Sequence, residues 1–157
     1  MSILDQIIAT KRQEVAACKA RTTTAQLEKQ GYFARACHSL AMSLVQPAST
    51  GVIAEFKRKS PSKGIINDRL GVDVVTRGYV EAGAACLSVL TDEDFFGGSI
   101  LDLQRASSAC SLPVLRKDFT VSRHDVCDAR LMGADCVLLI AAALSVDELR
   151  SFHELAE

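Results

Sequence analysis

The chain has 157 residues, 24% of them charged and 48% hydrophobic, with a formal net charge of −1 and a pI near 6.3. That length is enough for one sizeable core, and the near-neutral balance argues against nucleic acid as the main partner. No apolar run approaches the roughly 20 residues of a membrane span. The six cysteines form no C-x-x-C pair and His38, His124 and His153 are scattered, so neither a zinc site nor a disulfide framework is expected. With no signal peptide in evidence, the expected setting is the reducing cytoplasm.

Residues 1–48 read as an all-helical extension. Ser2 caps a helix over 3–19, whose Ile3, Leu4, Ile7, Ile8 and Val15 share one side, the pattern of a docking helix. Thr24 caps a short helix over 25–29, and a third helix spans 34–44 until Gln46-Pro47 stops it. From Gly51 the pattern changes to alternation. Strands are expected over 52–57, 85–90, 114–117 and 136–140, and helices over 72–81, 99–109, 122–132 and from Ser145 onward, where Ser145 and Glu148 make a capping box. These are four successive β/α units with strands apolar on both faces, as parallel strands covered by helices should be. Gly83-Ala84-Ala85-Cys86-Leu87-Ser88-Val89-Leu90 is echoed by Gly133-Ala134-Asp135-Cys136-Val137-Leu138-Leu139-Ile140, a helix-closing glycine followed by a strand. The echo fits a (β/α) barrel, although a doubly wound sheet has the same alternation.

The charged residues sit where such strands end. Period two puts Glu55 and Lys57 on one face of the first strand and Phe56 on the other, ahead of a cationic loop, Arg58-Lys59-Ser60-Pro61-Ser62-Lys63-Gly64. Such a pair is either a plain ion pair on a solvated face or an anion-handling site. The alternation Pro113, Leu115, Lys117 turns Lys117 to the inside and Arg116 away, so two lysines and one glutamate converge from two strands; the alternative is a surface lysine. Phe95, Phe96 and Phe119 offer an apolar wall for an aromatic ligand, or simply core. Asp92, Glu93 and Asp94 read as a solvated loop rather than a metal site.

Several stretches together resemble one family. Ala54-Glu55-Phe56-Lys57-Arg58-Lys59-Ser60-Pro61-Ser62-Lys63-Gly64 is similar to the first-strand signature of the indole-3-glycerol phosphate synthases. So are Ser88-Val89-Leu90-Thr91-Asp92-Glu93, Phe96-Gly97-Gly98-Ser99, Pro113-Val114-Leu115-Arg116-Lys117-Asp118-Phe119 and the Gly133 to Ile140 stretch, while Ile3-Leu4-Asp5 and Lys11-Arg12-Gln13-Glu14-Val15 resemble the family's N-terminal helix. The resemblance implies an α/β fold of the (β/α)8 TIM-barrel class. It is preceded by a helical segment, with residues 1–48 as the extension and 49–157 as the first half of the barrel. It implies a cofactor-free and metal-free carboxy-lyase of tryptophan biosynthesis, closing the ring of 1-(2-carboxyphenylamino)-1-deoxyribulose 5-phosphate with loss of carbon dioxide and water. The partner is then a small anionic molecule bearing a carboxylate and a phosphate. Carried over by position, Lys117 is the general acid, Lys57 binds the carboxylate or delivers protons, and Glu55 orients the lysines. Ser60, Pro61, Leu90, Phe96, Phe119 and Leu138 fall at substrate-contacting positions, and the loop over 58–66 closes on the ligand.

Four units against the family's eight leave the strand-five glutamate expected as general base, the strand-six asparagine and the phosphate-gripping loops outside this sequence. The expectation is therefore that these 157 residues alone do not complete the reaction, and that open barrel edges favour self-association. The alternative to a lyase is a non-catalytic half-barrel that binds anionic metabolites weakly or assembles with a partner. An isomerase of the phosphoribosylanthranilate type is disfavoured, since it calls for a Cys/Asp acid–base pair that the lysine-rich first strand does not supply.

Overall fold

A computed structural model describes residues 2–157. Helix α1 (Ile3–Arg21) begins with a capping box in which Ser2 and Asp5 each accept the other's backbone N–H. It is followed by α2 (Thr24–Glu28), a 3-10 turn (Gly31–Ala34) and α3 (Leu40–Val45). Two expectations need correction here. The cap of α2 is Thr23, whose hydroxyl accepts from Gln26 N. The third helix over 34–44 is replaced by the 3-10 turn, an extended stretch and the shorter α3. The cause is tertiary: Arg35 is drawn across to Asp135 (2.9 Å) and to the Ala134 carbonyl, and its own carbonyl accepts from Arg130 at 3.0 Å. The His38 N–H adds a bond to Asp135 Oδ1 at 3.0 Å. These partners hold the backbone extended where local propensity favours helix.

The remaining elements are β1 (Ile53–Phe56), a small hairpin β2–β3 (Lys59–Ser60 and Gly64–Ile65), α4 (Val72–Glu81), β4 (Cys86–Leu90), α5 (Ile100–Ala109), β5 (Val114–Lys117), α6 (Arg123–Leu131), β6 (Cys136–Val137) and α7 (Val146–Ala156). β1, β4, β5 and β6 pair in that order as one parallel four-stranded sheet; β2 and β3 pair antiparallel apart from it. Sequential parallel neighbours joined by helices are the topology of successive β/α units. The hairpin lies in the segment expected to be a loop. The first and fourth strands are shorter than the expected 52–57 and 136–140. β6 bonds only to β5 among the described residues, so nothing on its outer side holds residues 138–140 in a ladder.

β4 is buried along its whole length. Its Leu87 and Val89 pack with Phe56, Val72, Leu103, Val114, Ala106, Ala129 and Ala134 in the layer between sheet and helices. Gly83 and Gly133, the two glycines of the internal echo, take φ of +85° and +99°, the left-handed turn that lets a helix stop and reverse into a strand. The parallel register sets Glu55 beside Ser88 and Leu90 beside Lys117. Period two then sends Phe56, Leu87, Val89 and Val114 toward the helices, and Glu55, Ser88, Leu90 and Lys117 to the opposite face.

Candidate active site

Glu55, on the edge strand β1, gathers the charged groups of that opposite face. Lys117 Nζ donates to its Oε2 at 2.8 Å, and Lys57 Nζ stands 3.3 Å from its Oε1. The Ser88 hydroxyl donates to the same Oε2 at 3.2 Å. Burial works against the Glu55 charge, but the hydrogen bond and charge of Lys117, followed by those of Lys57, outweigh it and hold the carboxyl below its ordinary range. Both amines are about a third exposed, Lys57 at 34% and Lys117 at 36% of the side chain, so each is anchored at one side and open to a ligand at the other.

Glu55, Lys57 and Lys117 line a cavity of about 70 Å³ together with Leu90, Asp92, Phe96, Asp118, Phe119, Leu138 and Ile140. All of them come from the C-terminal ends of the parallel strands or the loops just beyond. The Phe96 and Phe119 rings face each other with centroids 6.2 Å apart, tilted by 35°. Leu90, Phe96, Phe119 and Leu138 are thus gathered around the Glu55–Lys57–Lys117 trio. Ser60 and Pro61 are not in this cavity. They line a wider depression beside it with Ile3, Ile7, Ser62, Lys63 and Ile66, and the two hollows share Lys57 and Phe96.

The loop over 58–66 is less cationic toward the site than its composition suggests. Arg58 turns away, gripping Asp102 with two bonds of 2.9 and 3.1 Å and stacking over Phe56. Lys59 Nζ donates to the Asp94 carbonyl at 2.9 Å, and its backbone N–H donates to the Phe96 carbonyl at 3.2 Å, which ties the hairpin to the loop after β4. Of the loop's lysines only Lys63 lines a hollow, next to Lys57 just before the loop.

The reading of Asp92 as part of a solvated loop is wrong: it is 1% exposed, whereas Glu93 and Asp94 face solvent. Its Oδ1 accepts from the Phe95 and Phe96 N–H groups at 2.7 and 3.1 Å, which folds the loop that carries Phe96. Asp118 is its counterpart after β5. Asp118 Oδ1 accepts from the Phe119 N–H at 2.8 Å, and Oδ2 accepts from the Thr91 hydroxyl at 2.6 Å. Burial raises the Asp118 pKa, yet Arg116 and Lys11, with the Thr91 and Phe119 hydrogen bonds, bring it below the carboxylate norm. Lys11, on α1, joins the two carboxylates at 3.0 and 3.3 Å. Lys11, Asp92, Asp118 and Arg116 were missed as members of this constellation. The available signal was Lys11 itself, a charged residue four positions after Ile7 and four before Val15 on the docking stripe.

Comparison with known proteins bears on what such a face does. The model of the family described as "Indole-3-glycerol phosphate synthase" matches residues 4–157. A protein of Bordetella pertussis (strain Tohama I) with the same name is 43% identical over 157 residues, covering 98% of this chain. Homonymous proteins of Burkholderia vietnamiensis (strain G4) and Burkholderia multivorans (strain ATCC 17616) are each 46% identical with the same coverage. The chain spans 60% of the length of these relatives. No helix among the described residues is long and apolar enough to cross a membrane.

Proposed function

Because the chain belongs to the indole-3-glycerol phosphate synthase family, we propose that its strand ends carry the acid side of a carbon–carbon lyase reaction, ring closure with decarboxylation and dehydration of 1-(2-carboxyphenylamino)-1-deoxyribulose 5-phosphate. The observation that carries this reading is one carboxylate holding two ammonium groups from different strands, 2.8 and 3.3 Å away, beside a pair of phenylalanine rings. In this reading Lys117 donates a proton to the substrate carbonyl oxygen as the aryl ring attacks that carbon. Lys57 meets the substrate carboxylate or returns a proton in the second half of the reaction. Glu55 orients both amines through its two ion pairs. Phe96, Phe119, Leu90 and Leu138 exclude water from the ring, and Ser60 and Pro61 belong to the loop that covers the sugar. No cofactor or metal enters, and the partner is this anionic small molecule. The setting is the cytoplasm, and the barrel half begins at residue 49.

The four-stranded sheet leaves the outer edges of β1 and β6 unpaired among the described residues, with Ile53 41% exposed on the first of them. This favours a second reading for the 157 residues by themselves, a non-catalytic sheet that associates with copies of itself. The test is turnover, read by the absorbance of the newly formed indole ring, for the full gene product and for the 157 residues alone, with sedimentation of the latter. Product from the former, and self-association without product from the latter, is the expected pair of results. No product from the full gene product would end the lyase reading.

A further inference from the structure

Among the described residues one buried ammonium takes no part in the proposed chemistry. Lys11 is 7% exposed, on a surface helix where most lysines stay in water. Its Nζ sits 2.8 Å from Glu14 Oε2, 3.0 Å from Asp92 Oδ2 and 3.3 Å from Asp118 Oδ1. Asp92 Oδ2 accepts no aligned hydrogen bond, and the Lys11 ammonium faces it at 3.0 Å. Burial opposes that charge, and Asp118, Glu14 and Asp92 together overcome it, raising the Lys11 pKa above the ordinary lysine range.

What the two carboxylates do with their remaining contacts gives the lysine its meaning. Asp92 fixes the backbone of Phe95 and Phe96, and Asp118 fixes that of Phe119. The same helix presents Ile3 and Ile7 to the hollow that holds Ser60 and Pro61. We propose that Lys11 is a positioning residue for the active site: its ammonium holds the Asp92 and Asp118 carboxylates side by side, and through them sets the two loops that bring Phe96 and Phe119 together as the aromatic wall. The inference rests on the lyase reading, since the wall is where the substrate's aryl ring would lie. Without Lys11, Arg116 still faces Asp118 Oδ2 at 3.4 Å, but Asp92 is left buried beside that carboxylate with no cation of its own; the two repel, and their loops are free to separate. A shift of about 1 Å at such a wall is worth up to roughly 10²-fold in rate.

The test uses the full gene product. Lys11→Met keeps the apolar stem and removes the charge. It is expected to lower kcat/KM by about 10- to 100-fold and to speed amide hydrogen exchange at Phe96 and Phe119. The double variant Lys11→Met with Asp92→Asn removes the repulsion, while the asparagine Oδ1 still accepts from Phe95 and Phe96. It is expected to recover most of the lost kcat/KM and the slow exchange, a rescue that mere docking of the helix does not provide. If Lys11→Met does not fold, the double variant carries the test alone, by its exchange rates and kcat/KM. Unchanged kcat/KM in Lys11→Met, a folded double variant no better than the single one, or a double variant that does not fold would each overturn the proposal. Lys117→Ala run in parallel separates the two claims. Normal turnover there sinks the lyase reading itself, whereas an inactive Lys117→Ala beside a fully active Lys11→Met sinks only the role of Lys11.

Discussion

Replacing Lys117 by alanine in the full gene product is expected to lower kcat by about 10²-fold or more, with a far smaller change in KM. Lys117 is the amine at 2.8 Å from Glu55, and its side chain is still a third exposed and lines the cavity, so it is both anchored and within reach of a ligand. Truncation leaves Glu55 with Lys57 at 3.3 Å and the Ser88 hydroxyl at 3.2 Å, so the carboxylate stays partnered and the fold should tolerate the change. An activity loss with unchanged thermal stability is the signature of a proton donor. Lys57→Ala removes the other amine and is expected to act more on KM, since that residue also borders the hollow of Ser60 and Pro61. Steady-state kinetics of the two variants side by side check the division of labour. Near-normal kcat in Lys117→Ala would remove it as the acid.

The second large effect concerns Gly98. A Cβ placed there would stand 2.4 Å from the Leu90 carbonyl oxygen, 2.6 Å from its carbon and 2.8 Å from the Thr91 nitrogen, all backbone atoms at the end of β4. Backbone cannot swing aside as a side chain does, and the Gly98 N–H is also bonded to the Asp92 carbonyl at 2.6 Å. Gly98→Ala therefore has to push the loop off the strand end, and the loop carries Asp92 and Phe96. The expected cost is about 3 kcal/mol, the upper part of the range for overpacking, or a fall in Tm of roughly 6–12 °C for a chain of this size. Gly78, inside α4 with nothing within 4 Å of its Cβ position, is the control. Gly78→Ala is expected to be neutral or stabilising by up to about 1 kcal/mol. Thermal unfolding of both variants decides the matter; equal Tm values would show that the end of β4 yields more easily than its packing implies.

How much of this was legible in the sequence depends on whether the cause was local. The bounds of α4 and β5 fall at the expected 72–81 and 114–117, because Gly71 and Gly83 bracket one and Pro113 opens the other. The Ser145–Glu148 capping box forms as its spacing implies. The inward turn of Glu55, Lys57 and Lys117 follows from period two along two strands, and the register brings those strands together. Where the cause lay far along the chain, local signals misled. Residues 35–39 have a helical pattern but are stretched by Asp135 and Arg130, and Asp92 looks like loop decoration until Lys11 arrives from α1. The hairpin of β2 and β3 was hidden because strands of two residues leave no periodicity to detect.

The most direct measurement of the central claim, that Glu55, Lys57 and Lys117 form one proton-donating, anion-holding site, is a crystal structure of the full gene product with an unreactive substrate analogue whose carbonyl is reduced to the alcohol. That oxygen is expected at about 2.6–3.2 Å from Lys117 Nζ, with the aryl ring against Phe96 and Phe119 and its carboxylate toward Lys57. An analogue seated elsewhere, or a Lys117 amine turned from it toward the helices, would mean that these three residues do not form the proton-donating site.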